Sequence, residues 1–301
     1  MNQILPPLHQ SHSAEEQLRP VNVHSKDAWL YRLTGAISLI AVVLSFALCG
    51  AILVGSLYAL GIDDVRQFSG GVSLWQLLAT NAIILLIALL FALPVGGAAG
   101  LFLLEYATPQ TKSITTGLYR FLSGIPTVIY GFFAVAIVTP FLQTLFPAVE
   151  RYNGIAAALV TGLLLTPLVC NKTISAIESV PPTLNEAAAA LGMSTSTRLR
   201  HIILPAAKRQ LAASLLFIIA RIVGETMIVA VAAGQLKTSY ALDPAGPMST
   251  INAYIIHTFS HVEPGSRAFG QLFFAAFVLL IVSACFTFAG HSILGSHEEA
   301  R

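Results

Sequence analysis

The chain has 301 residues, of which 55% are hydrophobic and only 10% are charged, with a mean hydropathy of +0.77. Soluble domains carry about 25% charged residues, so this composition excludes an ordinary water-soluble protein. The formal net charge of +2 is too small to favour nucleic acid as a partner. Cys49, Cys170 and Cys285 lie singly in apolar stretches. Their spacing predicts neither a disulfide nor a metal site, and no cofactor is expected.

Six apolar stretches are long enough to cross a bilayer as helices, which takes about 20 residues each. The predicted spans are Leu33–Leu60, Leu74–Leu104, Phe121–Leu145, Gly154–Ile177, Leu211–Leu236 and Ala268–Leu294. Barrel strands need only about 9–11 residues, so the sequence predicts an all-α membrane protein. It divides into a polar segment 1–32, a first transmembrane helix at 33–60 and a core transmembrane domain at 74–296. Gly96 and Gly100 form a GxxxG pair, which predicts close helix packing.

The Lys and Arg residues lie mostly on one side of the predicted spans. With the N-terminus in the cytosol, eleven of the sixteen fall on the cytosolic side, four fall outside and Arg221 lies within a span. Cytosolic loops of membrane proteins carry the excess of positive charge. We therefore expect both termini and the loop 178–210 to be cytosolic, and the loop 237–267 to be on the outer face.

The cytosolic loop carries signals for two short helices. Thr183 and Glu186 fit a capping box with Thr183 as the N-cap, and Gly192 stands where a left-handed residue ends a helix. Ser194 fits the N-cap of a second helix that Pro205 ends or kinks. The first helix also has one apolar stripe, formed by Leu184, Ala187, Ala188 and Leu191. A helix this short needs support, either from a partner protein or from the membrane surface.

The same loop resembles the EAA loop of ABC importer permeases. The pattern E-A-A, three residues, G, nine residues, I-x-L-P is matched at every position by Glu186, Ala187, Ala188, Gly192, Ile202, Leu204 and Pro205. The resemblance implies a type I ABC importer permease fold with a cytosolic coupling helix that docks on an ATP-binding subunit. A P-loop needs Gly directly before its Lys, and none of the five lysines follows a glycine. We therefore expect a non-catalytic subunit whose partner hydrolyses ATP.

Two charged residues lie four positions apart in the fifth predicted span, Arg221 and Glu225. A charge near the bilayer centre costs on the order of 2.5–3.5 kcal/mol, so the pair either locks helix packing or marks a transport pathway. A guanidinium binds oxyanions through two parallel hydrogen bonds, and Glu225 would compete for Arg221 and let the anion leave. Thr226 follows directly and is assigned to the same pathway.

This segment, continuing through Met227, resembles the R-x-x-G-E-T-M motif of phosphate permeases of the PstC type, and 122–131 resembles their third-span motif. The resemblance implies that Arg221 and Glu225 act in the passage of inorganic phosphate. Sulfate and molybdate permeases remain alternatives, because an arginine-lined path does not choose among oxyanions. A secondary transporter is less favoured because of the coupling loop, and we find no HExxH or GxSxG motif of a membrane enzyme.

The family resemblance also implies an assembly in the cytoplasmic (inner) membrane of a bacterium or archaeon. We expect two copies of an ATP-binding subunit, a second permease that is identical or a PstA-like sister, an extracytoplasmic phosphate-binding protein and contact with membrane lipid. Other polar positions have two interpretations. Asn81, Thr166, Asn171 and Thr226 either line a path or bond between helices. His257 and His261 share one face of a predicted outer helix, Met248–Phe259, but two histidines alone make a weak metal site.

Overall fold

The computed structural model describes residues 28–60, 71–234 and 242–295, and these residues are mostly helical. The helices are α1 (Ala28–Leu60), α2 (Leu74–Glu105), α3 (Pro109–Gly124), α4 (Thr127–Phe133), α5 (Thr139–Leu145), α6 (Gly154–Glu178), α7 (Pro182–Ala190), α8 (Thr195–Arg198), α9 (Leu204–Val223), α10 (Met227–Ala232), α11 (Ile251–Phe259) and α12 (Arg267–Gly295). Contacts divide the chain into two compact units, one ending at Ala51 and one beginning at Ile52. The polar segment 1–27 and the predicted span end at Leu236 lie outside the described residues.

Within the described residues, six helical stretches are long and apolar enough to cross a membrane, which confirms the predicted number. They are Trp29–Leu57, Leu74–Glu105, Thr127–Leu145, Gly154–Glu178, Thr195–Val223 and Arg267–Gly295. Four of them agree with the predicted spans to within a few residues at each end. The third and the fifth differ, and each difference has a local physical cause.

The third span begins later than predicted, because Phe121 belongs to the separate helix α3. That helix ends at Gly124, and Ile125 adopts an extended conformation with φ −71° and ψ 129°. The next residue, Pro126, lacks an N–H group and disfavours helical geometry in the residue before it. The Tyr130 hydroxyl donates to the Leu122 carbonyl oxygen at 2.8 Å, which satisfies one of the carbonyl groups left free at the end of α3.

A π-helical turn precedes each of two prolines, Pro140 and Pro205. In the second turn the Leu204 N–H donates to the Leu199 carbonyl oxygen five residues back, and the turn Ala134–Val138 has the same arrangement before α5. A proline removes one N–H from the usual ladder of helical hydrogen bonds, and one wider turn restores the pairing around it. Pro205 therefore does not end a helix, and α8, the turn and α9 form one continuous rod.

The fifth span is interrupted, although the sequence predicted one helix to Leu236. The continuous rod ends at Val223, the residues Gly224–Thr226 are not helical, and α10 resumes at Met227. Glycine costs about 1 kcal/mol relative to alanine inside a helix. A residue outside α9 and α10 donates the hydrogen bonds that the backbone carbonyl groups at the break would otherwise lack.

Helix α6 is the centre of the second unit, with 67% of its membrane-spanning window buried. It packs closely along α2, and the two glycines of the predicted GxxxG pair make this possible. A side chain at Gly96 would lie 2.8 Å from the Thr166 carbonyl oxygen, and one at Gly100 would lie 2.9 Å from the Cys170 carbonyl oxygen. The prediction of close packing at this pair is confirmed.

Candidate functional site

The predicted ion pair stands at the break between α9 and α10. Arg221 lies in the last turn of α9, where a positive charge is favourable next to the free carbonyl groups. Glu225 lies within the break itself. An Arg221 guanidinium nitrogen and Glu225 Oε2 are 3.4 Å apart, and 51% of the Arg221 side chain is exposed against 6% for Glu225. The structure thus brings together a buried carboxylate and an accessible guanidinium.

The contact between these two charges is long. Charge-assisted hydrogen bonds of this type measure about 2.7–2.9 Å, so the 3.4 Å pair holds Arg221 loosely. The guanidinium has five N–H donors, and Glu225 engages one nitrogen. The predicted neighbour Thr226 joins the group through its backbone, whose N–H donates to Glu225 Oε1 at 3.2 Å. Its hydroxyl donates to the Gly224 carbonyl oxygen at 3.2 Å, so the Thr226 side chain bonds to the backbone of the break.

A buried asparagine of α11 closes the break. The Asn252 side-chain amide donates to the Val223 carbonyl oxygen at 2.8 Å and to the Glu225 carbonyl oxygen at 3.1 Å. Asn252 is only 8% exposed, and an unpaired carbonyl in a membrane interior costs several kcal/mol. One side chain therefore replaces two hydrogen bonds that a continuous helix would have made. Sequence reasoning missed this residue, whose only signal was an amide within an otherwise apolar outer helix.

Helix α11 also contacts α10. The His257 Nε2 atom lies 3.1 Å from the Ala230 carbonyl oxygen in α10. The predicted helix in this segment is confirmed, although it begins at Ile251 and not at Met248, and Ile251 to Tyr254 are its buried residues. Within the described ranges 28–60, 71–234 and 242–295, no group of three or more His, Cys, Asp or Glu residues could hold a metal ion. Helix α11 thus contacts the end of α9, the break and α10.

The second predicted group of site residues begins in α7, where the predicted N-cap is wrong. The helix starts at Pro182 with Pro181 as the capping position and no side-chain cap. Proline is well suited to the first position of a helix, because its N–H would be unpaired there in any case. Thr183 therefore lies inside the first turn, and Glu186 does not close a capping box.

The C-terminal end of α7 agrees with the prediction. Gly192 has a φ of +73°, a left-handed conformation that glycine adopts without steric cost. Its N–H donates to the Ala189 carbonyl oxygen at 2.9 Å, and the Met193 N–H donates to the Ala188 carbonyl oxygen at 3.3 Å. These two bonds are the Schellman arrangement. Ser194 caps α8 as predicted, since its hydroxyl accepts from the Thr197 N–H.

The apolar stripe predicted on α7 is divided between two faces. Ala188 is buried at 2% exposure, whereas Leu184 and Leu191 are 43% and 81% exposed. Glu186 and Ala187 are also exposed. Leu184, Ala187 and Leu191 thus present an exposed apolar surface next to Glu186. We call the residues Leu184, Glu186, Ala187 and Leu191 the coupling face.

The segment after α7 is fixed to the membrane helices by a salt bridge and a small core. Arg198 Nη2 lies 3.1 Å from Glu105 Oε2, and the two side chains are 16% and 12% exposed. Leu199 and Ile203 are buried against the ends of α2 and α6. The ion pair and this small core attach the segment after α7 to α2 and α6.

The remaining predicted coupling residues lie where α9 begins. Ile202 and Leu204 are partly buried and Pro205 is exposed. Pro205 and Arg221 are sixteen residues apart on one helix, or about 24 Å at 1.5 Å per residue. Ile202, Leu204 and Pro205 thus lie on the same rod as Arg221. The other predicted coupling residues, Glu186, Ala187, Ala188 and Gly192, lie before the rod begins at Thr195.

Sequence comparison finds relatives that are named as permeases. The chain is 28% identical over 203 residues to the probable ABC transporter permease protein YqgH of Bacillus subtilis, covering 67% of this chain and 65% of that protein. It is 26% identical over 216 residues to the phosphate transport system permease protein PstC of Mesorhizobium japonicum, covering 64% and 63%. With the phosphate transport system permease protein PstA 1 of Mycobacterium tuberculosis (strain CDC 1551 / Oshkosh) it shares 30% over 229 residues, covering 76% and 72%. The matched segment is thus less than two thirds of the first two relatives.

A solved structure shows the same fold. A chain in the crystal structure of a bacterial ABC transporter involved in the import of the acidic polysaccharide alginate has a TM-score of 0.62 and 15% identity. The likeness covers 89% of this chain and 97% of that one. The model of the family described as the binding-protein-dependent transport system inner membrane component matches residues 92–294, which include both groups of site residues. The chain belongs to this family.

Proposed function

We propose that this chain is the membrane-spanning permease subunit of an ATP-driven importer, and that its cargo is inorganic phosphate. The observation that carries the proposal is the helix break at Glu225, where a buried carboxylate contacts a half-exposed Arg221. Charged groups within membrane helices are costly and usually line a pathway. The relatives named as phosphate permeases of both the PstC and the PstA type support the choice of cargo.

The chemistry of the pair suits a transient anion site. A phosphate oxygen pair can accept two parallel hydrogen bonds from the Arg221 guanidinium, which Glu225 holds only at 3.4 Å. When the anion leaves, Glu225 neutralises the arginine again. The carboxylate therefore keeps the site from becoming a trap, because it lowers the free energy of the empty state.

The coupling face supplies the connection to ATP. We assign Glu186, Ala187, Ala188, Gly192, Ile202, Leu204 and Pro205 to docking on an ATP-binding subunit, present in two copies. Exposed leucines on a short helix favour a protein groove as the docking partner. Movement of this face would pass through Gly192 to α8 and then along the continuous rod of α8, the π-helical turn and α9 to Arg221. A second permease, identical or a sister, and an extracytoplasmic phosphate-binding protein complete the proposed assembly.

The orientation and the division of the chain belong to the same proposal. Both termini lie in the cytosol of a bacterium or archaeon, and α11 faces the outer side of the inner membrane. The segment 1–32 is cytosolic, 33–60 is an accessory span and 74–296 is the permease core with its coupling loop at 178–210. The excess of Lys and Arg on one side of the spans supports this orientation.

Uptake in cells tests the cargo. Cells lacking other phosphate importers would express this chain with its neighbouring transporter subunits, and uptake of labelled phosphate would be measured with excess sulfate or molybdate. We expect uptake that resists both competitors. Uptake blocked by sulfate or molybdate would assign the path to a different oxyanion, and the absence of phosphate uptake in an assembled complex would contradict the proposed cargo.

A further inference from the structure

A polar cavity lies between α3 and α6, separate from the helix break. It has a volume of about 520 Å³ and is lined by Thr116, Tyr119, Arg120, Ser123, Gly124 and Asn171. Five of these six residues carry a side-chain hydrogen-bond donor, and no carboxylate is among them. The site described above does not use any of these residues.

The cavity is open on one side, and Arg120, Ser123 and Asn171 are exposed. Within the described part of the chain, no hydrogen bond or ion pair engages the side chains of Thr116, Arg120, Ser123 or Asn171. Tyr119 differs, because its hydroxyl contacts the Cys170 thiol. Burial raises the pKa of Tyr119, and the thiol raises it further, so the phenol stays protonated at neutral pH. The cavity thus presents one fixed positive charge and several neutral donors.

Another cavity of the chain has a different lining. A cavity of about 370 Å³ between α2, α6 and α9 is lined almost entirely by apolar residues. Its one charged residue is Lys172, whose ammonium group lies 5.7 Å from the centre of the Phe217 ring. This cation–π contact gives the charge a partner within the chain. Arg120 has no comparable partner among the described residues.

The polar cavity lies toward the end of α6 that is remote from its contact with the end of α10. The first residue before α6, Asn153, bonds through its N–H to the Ala232 carbonyl oxygen at the end of α10. Asn171 comes eighteen residues later, about 27 Å further along the helix axis. With the proposed orientation, the cavity lies toward the cytosolic end of the membrane domain.

We propose that this cavity binds a phosphate-type oxyanion through the Arg120 guanidinium, the Ser123 hydroxyl and the Asn171 amide. The proposal rests on the proposed function for its choice of ligand. Two sources share this chemistry, namely the transported anion after it leaves Arg221 and the headgroup phosphate of a membrane lipid. Guanidinium forks and neutral donors without a competing carboxylate suit either source.

Protection of a cysteine tests occupancy without relying on transport. Ser123→Cys would be introduced in a chain with Cys49→Ser and Cys285→Ser, assembled with its partner subunits. The rate of maleimide modification at position 123 would be measured with and without inorganic phosphate, in detergent and in phospholipid nanodiscs. At ten times the dissociation constant we expect phosphate to slow modification by about tenfold. Arg120→Gln should remove this protection, whereas Lys112→Gln, an exposed lysine on α3, should leave it unchanged.

The two sources give different results. Protection by added phosphate in detergent assigns the cavity to the transported anion. Protection in nanodiscs without phosphate, lost in detergent and in the Arg120→Gln variant, assigns it to a lipid headgroup. Modification that is equally fast in every condition, or that Arg120→Gln does not change, would overturn the proposal. Uptake by the Ser123 parent complex is recorded separately, so protection without uptake would count against the proposed cargo transport and not against this cavity.

Discussion

The side-chain amide of Asn252 donates to the backbone carbonyl of Glu225 at 3.1 Å, while the carboxylate of Glu225 contacts Arg221 at 3.4 Å. One residue of α11 therefore holds the backbone of Glu225, whose carboxylate contacts Arg221. The geometry makes α11 part of the candidate site.

Removal of the Asn252 amide should destabilise the backbone at the helix break. Asn252→Ala leaves two buried carbonyl groups without their donor, at a cost of about 1–3 kcal/mol each. We expect a lower midpoint of thermal unfolding and reduced phosphate uptake. Ser260→Ala, an exposed residue just after the same helix, is the matched control. Equal stability and uptake in the two variants would show that the Asn252 bonds do not support the site.

Loss of the Arg221 guanidinium should stop transport and spare assembly. Hydrogen bonds to charged groups contribute about 1.5–3 kcal/mol, so Arg221→Ala should lower uptake by about one to two orders of magnitude. Arg209→Ala removes an exposed arginine from the same helix and should have a small effect. Initial uptake rates are compared at equal amounts of purified complex. Normal uptake by an assembled Arg221→Ala complex would return the ion pair to a packing role.

A charge on the coupling face should separate the chain from its ATPase. Leu191 is 81% exposed, so Leu191→Asp removes no core contact, but it places a carboxylate in the proposed docking groove, where desolvation is unfavourable. Glu186→Arg should act in the same direction. Co-purification of the ATP-binding subunit is the measurement, and Ser196→Asp on α8 is the control. Full co-purification and transport with both changes would exclude this face as the docking surface.

The Arg198–Glu105 salt bridge should behave as a unit. Its partners are 16% and 12% exposed, so removing either one leaves a largely buried charge unpaired. We expect Glu105→Gln and Arg198→Gln each to lower thermal stability and the uptake per ATP hydrolysed. A double-mutant cycle measures the interaction between the two side chains. The loss of stability and uptake in the double variant should be smaller than the sum of the losses in the two single variants. Strict additivity would indicate that the two side chains act independently.

Local signals predicted the features that neighbouring residues control. Gly192 ends α7 in a left-handed conformation and Ser194 caps α8, as the sequence indicated. The prediction of Thr183 as the N-cap of α7 was wrong. The helix begins one residue earlier, because Pro182 takes the first helical position. Pro205 was expected to end or kink a helix, but a π-helical turn accommodates it.

Features made by distant residues could not be read from local pattern. The break at Gly224 is closed by Asn252, which is 27 residues from Glu225. Arg198 and Glu105 are 93 residues apart. Hydropathy marked a single apolar run to Leu236, because it does not register which carbonyl groups find donors elsewhere. The sequence predicted Arg221 and Glu225 as a pair of charged residues in the fifth span. It did not predict the helix break at which the pair lies.

The most direct test of the central claim uses the purified complex in proteoliposomes. The chain would be reconstituted with its ATP-binding subunits, second permease and phosphate-binding protein, and accumulation of labelled phosphate would be followed with ATP or with a non-hydrolysable ATP analogue. We predict accumulation that requires hydrolysable ATP and is lost in the Arg221→Ala complex. ATP-driven accumulation that is unchanged by Arg221→Ala, or no accumulation by the intact complex, would contradict this account.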